Sequence, residues 1–129
     1  MKNTVLSSLL LGAAAIAILQ SCAEEPTQIK ENLPGRWEIT SALRDGQSAA
    51  SLAELYYEFS ENGQMNTNLP IASGASTYTI DGLGITQDYQ GQEIYYQVAD
   101  ISDSTLILET ELRDTRFTFY FRKGQPASE

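Results

Sequence analysis

Hydrophobic and polar residues alternate in short runs along most of the chain between residues 33 and 124. In the first run Trp37, Ile39 and Leu43 fall on one face, and polar or small residues fall on the other. A period of two is typical of a half-buried β-strand. Seven similar runs follow, each bounded by turn residues. The eight predicted strands are residues 37–43, 55–60, 64–69, 76–80, 83–89, 94–101, 105–110 and 115–122.

The segments between these runs are nearly all short enough for hairpins. Asp45-Gly46 and Asn62-Gly63 are pairs that favour tight turns, because such residues tolerate positive φ. Residues 48–54 are predicted to form a loop or a short helical turn. One strand and its turn occupy roughly 11 residues, a spacing typical of β-sandwiches and barrels. Strands that pair with their sequence neighbours lose their free edges most simply by closing. We therefore predict an all-β fold, an antiparallel up-and-down meander of about eight strands that closes into a barrel.

The N-terminal region has a different pattern. Lys2 precedes an uninterrupted run of mainly apolar residues from 5 to 19, which is the layout of a secretion signal. That run is shorter than the roughly 20 apolar residues that a membrane-spanning helix needs. We expect a signal peptide over residues 1–21, a linker over 22–32, one domain over 33–124 and a polar tail over 125–129.

The charge of the chain disfavours several kinds of partner. It has 17 acidic and 8 basic residues, no His, and a formal net charge of −9. An acidic surface repels the phosphates of nucleic acids and the headgroups of anionic lipids. We expect no nucleic-acid partner, and the acidity is typical of a soluble exported domain.

The residue inventory also argues against catalysis. Without His, the chain has no Ser-His-Asp or Cys-His pair and no imidazole ligand for a metal. The single Cys22 excludes an internal disulfide. A glycosidase would need two carboxylates at a defined separation, but alternation places Glu58 on the solvent side of its strand. We expect no catalytic residues, no metal and no other cofactor.

Residues 19–22, with the sequence LQSC, resemble the lipobox of bacterial lipoproteins. The resemblance implies that Cys22 is the lipidated N-terminus of the mature protein, which tethers it to the outer membrane. Ala23 in place of Asp favours that membrane over inner-membrane retention, by the sorting pattern of such lipoproteins. The protein would face the periplasm or the cell surface.

A second resemblance begins at Gly35 and Trp37. The two residues, preceded by Leu33 and Pro34, resemble the G-x-W signature that opens lipocalins, and residues 57–63 resemble a hairpin found in small lipocalin-like lipoproteins of bacteria. In lipocalins the Trp closes one end of the barrel beneath an Arg, a role that the resemblance gives to Arg122, or second to Arg116. The chain is shorter than a full lipocalin and lacks its C-terminal helix.

The resemblance implies a non-enzymatic protein that binds a small apolar or amphipathic ligand in the barrel or at its mouth. The candidate ligand-binding residues are Tyr57, Phe59, Tyr78 and Tyr96. An eight-stranded barrel is wide enough either to fill with side chains or to hold one small ligand. The aromatic residues, Trp37 and Phe119 among them, therefore have an alternative interpretation as packed core.

The alternative function is a solid barrel that acts as a protein-interaction, accessory or inhibitory module. Tyr95 and Tyr120 lie opposite to the predicted inward set and would form its contact surface, since aromatic residues are enriched in interface cores. The loop over residues 70–75 is the one long enough to suggest an inhibitor. The sequence leaves both hypotheses open.

Overall fold

A computed structural model describes residues 26–124. One helix precedes nine strands, and two 3-10 turns, Ala50–Leu52 and Pro70–Ala72, interrupt the connections after the second and fourth strands. The elements are α1 (Pro26–Asn32), β1 (Gly35–Arg44), β2 (Gln47–Ser48), β3 (Tyr56–Phe59), β4 (Gln64–Thr67), β5 (Gly74–Asp81), β6 (Gly84–Tyr89), β7 (Gln92–Ile101), β8 (Thr105–Leu112) and β9 (Thr115–Lys123).

The strands form an antiparallel barrel. Strands β3 to β9 pair in sequence order, and β1 pairs with β3 on one edge and with β9 on the other. The β1–β9 pairing closes the sheet, while the two-residue β2 adds only a short extension beside the end of β1. The predicted fold, an up-and-down barrel of eight main strands, is confirmed.

Tight turns set the register of the hairpins. The pairs Asp45-Gly46, Gln90-Gly91 and Arg113-Asp114 each join two strands, and all six residues have positive φ. Two-residue turns of this kind match the right-handed twist of the strands they connect. The three turns lie at the same end of the barrel, which we call the open end. The opposite end, near Gly35 and Lys123, we call the closed end.

Two bulges change which residues face the interior. In β1 the register shifts between Ile39 and Ser41, and in β7 between Val98 and Asp100. Past the first bulge Ala42 is buried, whereas Leu43 pairs with the outward-facing Thr118. The prediction that Leu43 shares the inward face of Trp37 is therefore wrong, because an inserted residue reverses the alternation.

The chain before β1 is part of the fold. Residues Pro26–Asn32 form the helix α1, so the prediction of a linker is wrong over this stretch. The side chain of Ile29 is fully buried, and so is that of Leu33 immediately after the helix. The helix packs near β5 and β7 at the closed end. The sequence pattern does not indicate this helix, because Ile29 is the one large apolar residue in the segment and a single residue shows no period.

Candidate functional site at the open end

Large side chains fill the barrel interior. Trp37, Tyr57, Tyr96 and Phe119 are all completely buried. The ring of Tyr57 meets those of Tyr96 and Phe121 edge to face, each at 5.5 Å between ring centres. These are favourable aromatic geometries. The middle of the barrel is therefore a packed core.

A polar network runs through this core. The hydroxyl groups of Tyr57 and Tyr96 lie 2.9 Å apart, and that of Tyr96 donates to Oε1 of Gln87 at 2.7 Å. The amide of Gln87 in turn donates to the hydroxyl of Ser76 at 3.0 Å. Burial raises the pKa of Tyr57 and of Tyr96 above the ordinary value for tyrosine, and coulombic interaction with Tyr96 adds to the rise at Tyr57. Each buried phenol is thus satisfied by a partner within the protein.

The four residues predicted to bind a ligand lie together, but in the core. Phe59 stacks near Tyr57 and meets Tyr78 edge to face at 5.1 Å. Tyr78 lies at the closed end, where its hydroxyl donates to the carbonyl of Ser60. Burial raises its pKa, with a smaller effect from Glu61. All four therefore belong to the packed core.

The closed end explains the Gly-x-Trp motif. The indole of Trp37 donates to the carbonyl of Leu33 at 2.8 Å. The amino group of Lys123 lies 4.3 Å from the centre of the Trp37 ring and donates to the carbonyls of Asn32 and Pro34, both at 3.0 Å. Gly35 has φ of +132°, and a Cβ at this position would lie 3.0 Å from the Lys123 nitrogen.

The cation over Trp37 is therefore Lys123, and the assignment of this role to Arg122 is wrong. Strand β9 buries Phe119 and Phe121, so the next inward residue is Lys123, and Arg122 is exposed on the outer face. Arg116, the second candidate, is exposed at the opposite end of β9. Burial lowers the pKa of Lys123, an effect partly opposed by Asp103.

The open end carries a cleft of about 300 Å3. Its apolar surface comes from both 3-10 turns and from the ends of β8 and β9. The residues with apolar side chains that line it are Leu52, Leu69, Pro70, Ile71, Leu112 and Phe117, and the polar residues are Arg44, Ser51, Arg113 and Thr115. We call this the mouth cleft. It has a volume at the lower end of the range for small-molecule pockets.

Arg44 reaches the mouth cleft because of the bulge in β1. Past the bulge, Ala42 pairs with Phe119 and Arg44 with Phe117, so both face the barrel axis. The guanidinium carbon of Arg44 lies 5.5 Å from the centre of the Phe117 ring, a cation–π distance. Regular alternation from Trp37 would have pointed Arg44 outwards. Bulges often redirect a side chain in this way beside functional sites.

Arg113 enters the cleft from a constrained turn. It occupies the first position of the β8–β9 turn with φ of 53°, followed by Asp114 with φ of 66°. Positive φ is uncommon for residues other than Gly, Asn and Asp. The left-handed backbone conformation of Arg113 therefore lowers the stability of the fold.

The mouth cleft differs from three other surface clefts of residues 26–124 in having no acidic residue in its lining. Acidic residues outnumber basic ones by 17 to 8, yet the lining contains two arginines and no carboxylate. Neither arginine has a carboxylate within 4.0 Å among residues 26–124. Three other surface clefts each include a glutamate: Glu58 in one, Glu61 in the second, Glu93 in the third.

Sequence reasoning missed most of this site. The two 3-10 turns fall in the segments 48–54 and 70–75 that the sequence marks as a loop or helical turn and as a loop, but nothing in the sequence pattern singles out Arg44 or Arg113. Their proximity depends on the bulge and on loops far apart in sequence. The one sequence feature that could have indicated the site is that Arg44 and Arg113 each lie next to a turn between strands.

The exposed aromatic residues do not form one patch. Tyr95 on β7 is 54% exposed and Tyr120 on β9 is 36% exposed. Strand β8 lies between their two strands. Tyr120 pairs with Ile107 of β8, whereas Tyr96, the neighbour of Tyr95, pairs with Thr110, three residues further along β8. Tyr95 instead covers Gly84, where a Cβ would lie 2.2 Å from its hydroxyl.

Cys22, the predicted lipidation site, lies outside the described residues, as do the signal peptide and the tail. Within residues 26–124, no three Asp, Glu, His or Cys side chains are grouped so that they could hold a metal ion. In the same range no helix has the length and apolar character needed to cross a membrane. No protein-family model matches the chain, and no curated protein sequence matches it.

Proposed function

We propose that the protein is a lipid-anchored binding protein of the cell envelope, without enzymatic activity, which takes a small amphipathic ligand at the open end of its barrel. The observation that carries the proposal is the mouth cleft, an apolar concavity rimmed by polar groups. Binding pockets commonly combine a mainly apolar lining with a few polar groups that orient the ligand. The packed interior favours a ligand at the mouth over one inside the barrel.

The position of α1 agrees with a tether at Cys22. Pro26, the first residue of the helix, lies beside Gly63, Tyr78 and Gly82 at the closed end. Three residues lie between it and Cys22, so the four Cα–Cα steps span at most about 14 Å in extended chain. A lipid on Cys22 would hold the closed end near the membrane and leave the mouth cleft directed away from it. We therefore propose that the ligand enters from the aqueous side.

Ligand binding is tested by titrating the purified full chain with 1-octanol and recording amide chemical shifts by NMR. We expect shifts at Ile71, Leu112 and Phe117, and none at Trp37. Ile71→Ser should weaken binding several-fold because it removes apolar lining, whereas Leu83→Ser, at an exposed leucine of the closed end, should not. Saturable shifts confined to the closed end would contradict the proposal, and so would the absence of shifts both with octanol and with charged analogues of the same chain length.

Anchoring is tested separately by feeding cells that express the chain a labelled fatty acid. We expect label on the wild-type protein and none on Cys22→Ala. Equal labelling of the two proteins, or no labelling of either, would exclude lipidation at Cys22.

The alternative of a protein-interaction module receives less support. Interface cores are contiguous patches rich in aromatic residues, whereas Tyr95 and Tyr120 lie on separate parts of the barrel surface. Pull-down with Tyr95→Ser and Tyr120→Ser would reveal a partner that depends on either residue.

A further inference from the structure

We infer that the ligand of the mouth cleft is an anionic amphiphile: one short apolar chain with a carboxylate or phosphate head held by Arg44 and Arg113. This inference rests on the proposed function and adds the charge of the ligand to it. The apolar part would lie against Leu112 and Phe117, and the head would lie at the rim.

The charge distribution is the first argument. Two arginines and no acidic residue line the mouth cleft, on a protein with a formal net charge of −9. Neither Arg44 nor Arg113 is neutralised by an ion pair within residues 26–124. A guanidinium matches a carboxylate or a phosphate through two parallel hydrogen bonds. The lining thus offers donors to an anion and no carboxylate to a cation.

Two irregularities of the backbone bring the two arginines to the same cleft. The bulge in β1 turns Arg44 towards the barrel axis, and a left-handed turn residue carries Arg113 to the same rim. The two arginines are far apart in the sequence and reach one cleft through two different departures from regular strand geometry. Because Arg44 also lies over the ring of Phe117, its guanidinium is held beside the apolar lining.

The size of the cleft limits the ligand. About 300 Å3 holds roughly ten non-hydrogen atoms if each takes about the 30 Å3 of a water molecule in the liquid. Octanoate has this size. The neighbouring cleft, which shares Ile71, Leu112 and Arg113, contains Glu93 and Glu111 and is therefore a poor extension for an anionic head.

The test compares probes of one chain length and different heads. Octanoate, octyl phosphate, 1-octanol and octylamine are titrated at pH 7 into the purified full chain, with the amide signals of Leu112 and Phe117 followed by NMR. We expect at least one anion to bind about tenfold more tightly than octanol, and octylamine to bind least. The preference should decrease as salt is added.

Variants assign the preference to the two arginines. Arg44→Gln and Arg113→Gln should each weaken binding of the anion about fivefold and leave octanol binding unchanged, the size expected of a partly exposed charge pair. Arg116→Gln removes the same charge at the same end of the barrel but outside the cleft lining, so it should change the affinity less than twofold.

The outcomes separate the two proposals. If octanol binds as tightly as either anion, or if Arg116→Gln weakens the anion as much as the cleft variants do, the inference is wrong and the proposed function stands. If none of the four probes shifts the cleft signals, both are wrong. Anion preference that disappears in Arg44→Gln or in Arg113→Gln, with octanol unaffected, would establish the inference.

Discussion

Arg44 and Phe117 face each other across the pair of strands that closes the barrel, with the guanidinium carbon 5.5 Å from the ring centre. This contact exists because one extra residue in β1 reverses the alternation between Ile39 and Ser41. Before the bulge, Trp37 is buried at the closed end of the barrel. After the bulge, Arg44 lies at the mouth cleft. One irregularity therefore links core packing to the charge of the candidate site.

The position of Lys123 over the Trp37 ring gives the first prediction. Lys123→Met keeps an unbranched side chain but removes the amino group that donates to two carbonyls and lies over the indole ring. We expect the free energy of unfolding to fall by about 1–3 kcal/mol, the range for a lost charged hydrogen bond. Urea unfolding followed by Trp37 fluorescence measures it.

Arg122→Met is the control for Lys123→Met, because Arg122 is exposed on the adjacent outward position. It should change the free energy of unfolding by less than about 0.5 kcal/mol, as is usual for surface substitutions. If Arg122→Met were the more destabilising of the two, the cation over Trp37 would have been misassigned.

The helix α1 gives the second prediction. Ile29 is fully buried, so Ile29→Ala should lower the free energy of unfolding by about 2–4 kcal/mol through lost burial and a residual cavity. Thr27→Ala, at an exposed position of the same helix, should have little effect. Both are measured by urea unfolding. Equal, small effects would mean that the segment behaves as the linker that the sequence indicated.

The sequence predicted the features that depend on local pattern. Alternation and turn residues indicated the strands and their closure, and they identified Trp37, Tyr57 and Phe119 as inward residues. The same alternation in β9 requires that Lys123, and not Arg122, follow Phe121 on the inside. The resemblance to lipocalins suggested an Arg, whereas the register of this chain decides for Lys.

The remaining features depend on tertiary structure. Nothing in the residues around Thr40 distinguishes a bulge from regular strand, so the reversal that turns Arg44 inwards was not visible. The mouth cleft combines residues from β1, two 3-10 turns and the β8–β9 hairpin. Their proximity follows from the closed register of the barrel, which local patterns do not specify.

The buried tyrosines give the third prediction, a loss of stability in alkali. Burial raises the pKa of Tyr57 and Tyr96 in the folded protein, while unfolded tyrosines ionise near 10. Above pH 10 the unfolded state therefore binds fewer protons than the folded state. The free energy of unfolding should fall by about 1.4 kcal/mol per pH unit for each of the two residues.

Tyr57→Phe tests this prediction. It removes one of the tyrosines with a raised pKa, so the fall of stability with pH above 10 should become shallower by up to about 1.4 kcal/mol per pH unit. Lys123 acts in the opposite direction: its lowered pKa imposes a cost on the folded state that disappears as pH rises through the unfolded value. Lys123→Met should therefore make the alkaline loss steeper. Urea titrations from pH 8 to 11.5 measure all three proteins, and an unchanged slope in Tyr57→Phe would contradict the assignment.

The turn at Arg113 gives the fourth prediction, that stability and binding change in opposite directions. Asn tolerates a left-handed backbone better than Arg does, so Arg113→Asn should raise the free energy of unfolding by up to about 1 kcal/mol. The same substitution removes a cation from the rim of the mouth cleft, so binding of octanoate should weaken. A residue retained for folding alone would not behave in this way.

Gln90 offers a matched comparison, because it occupies the first position of the β6–β7 turn with φ of 55° and does not line the mouth cleft. Gln90→Asn should stabilise the protein by a similar amount and leave octanoate binding unchanged. Thermal unfolding and NMR titration of both variants measure the two effects. The prediction is wrong if Arg113→Asn lowers the free energy of unfolding. It is also wrong if both variants weaken octanoate binding equally, because the effect would then not depend on the charge of Arg113 at the mouth cleft.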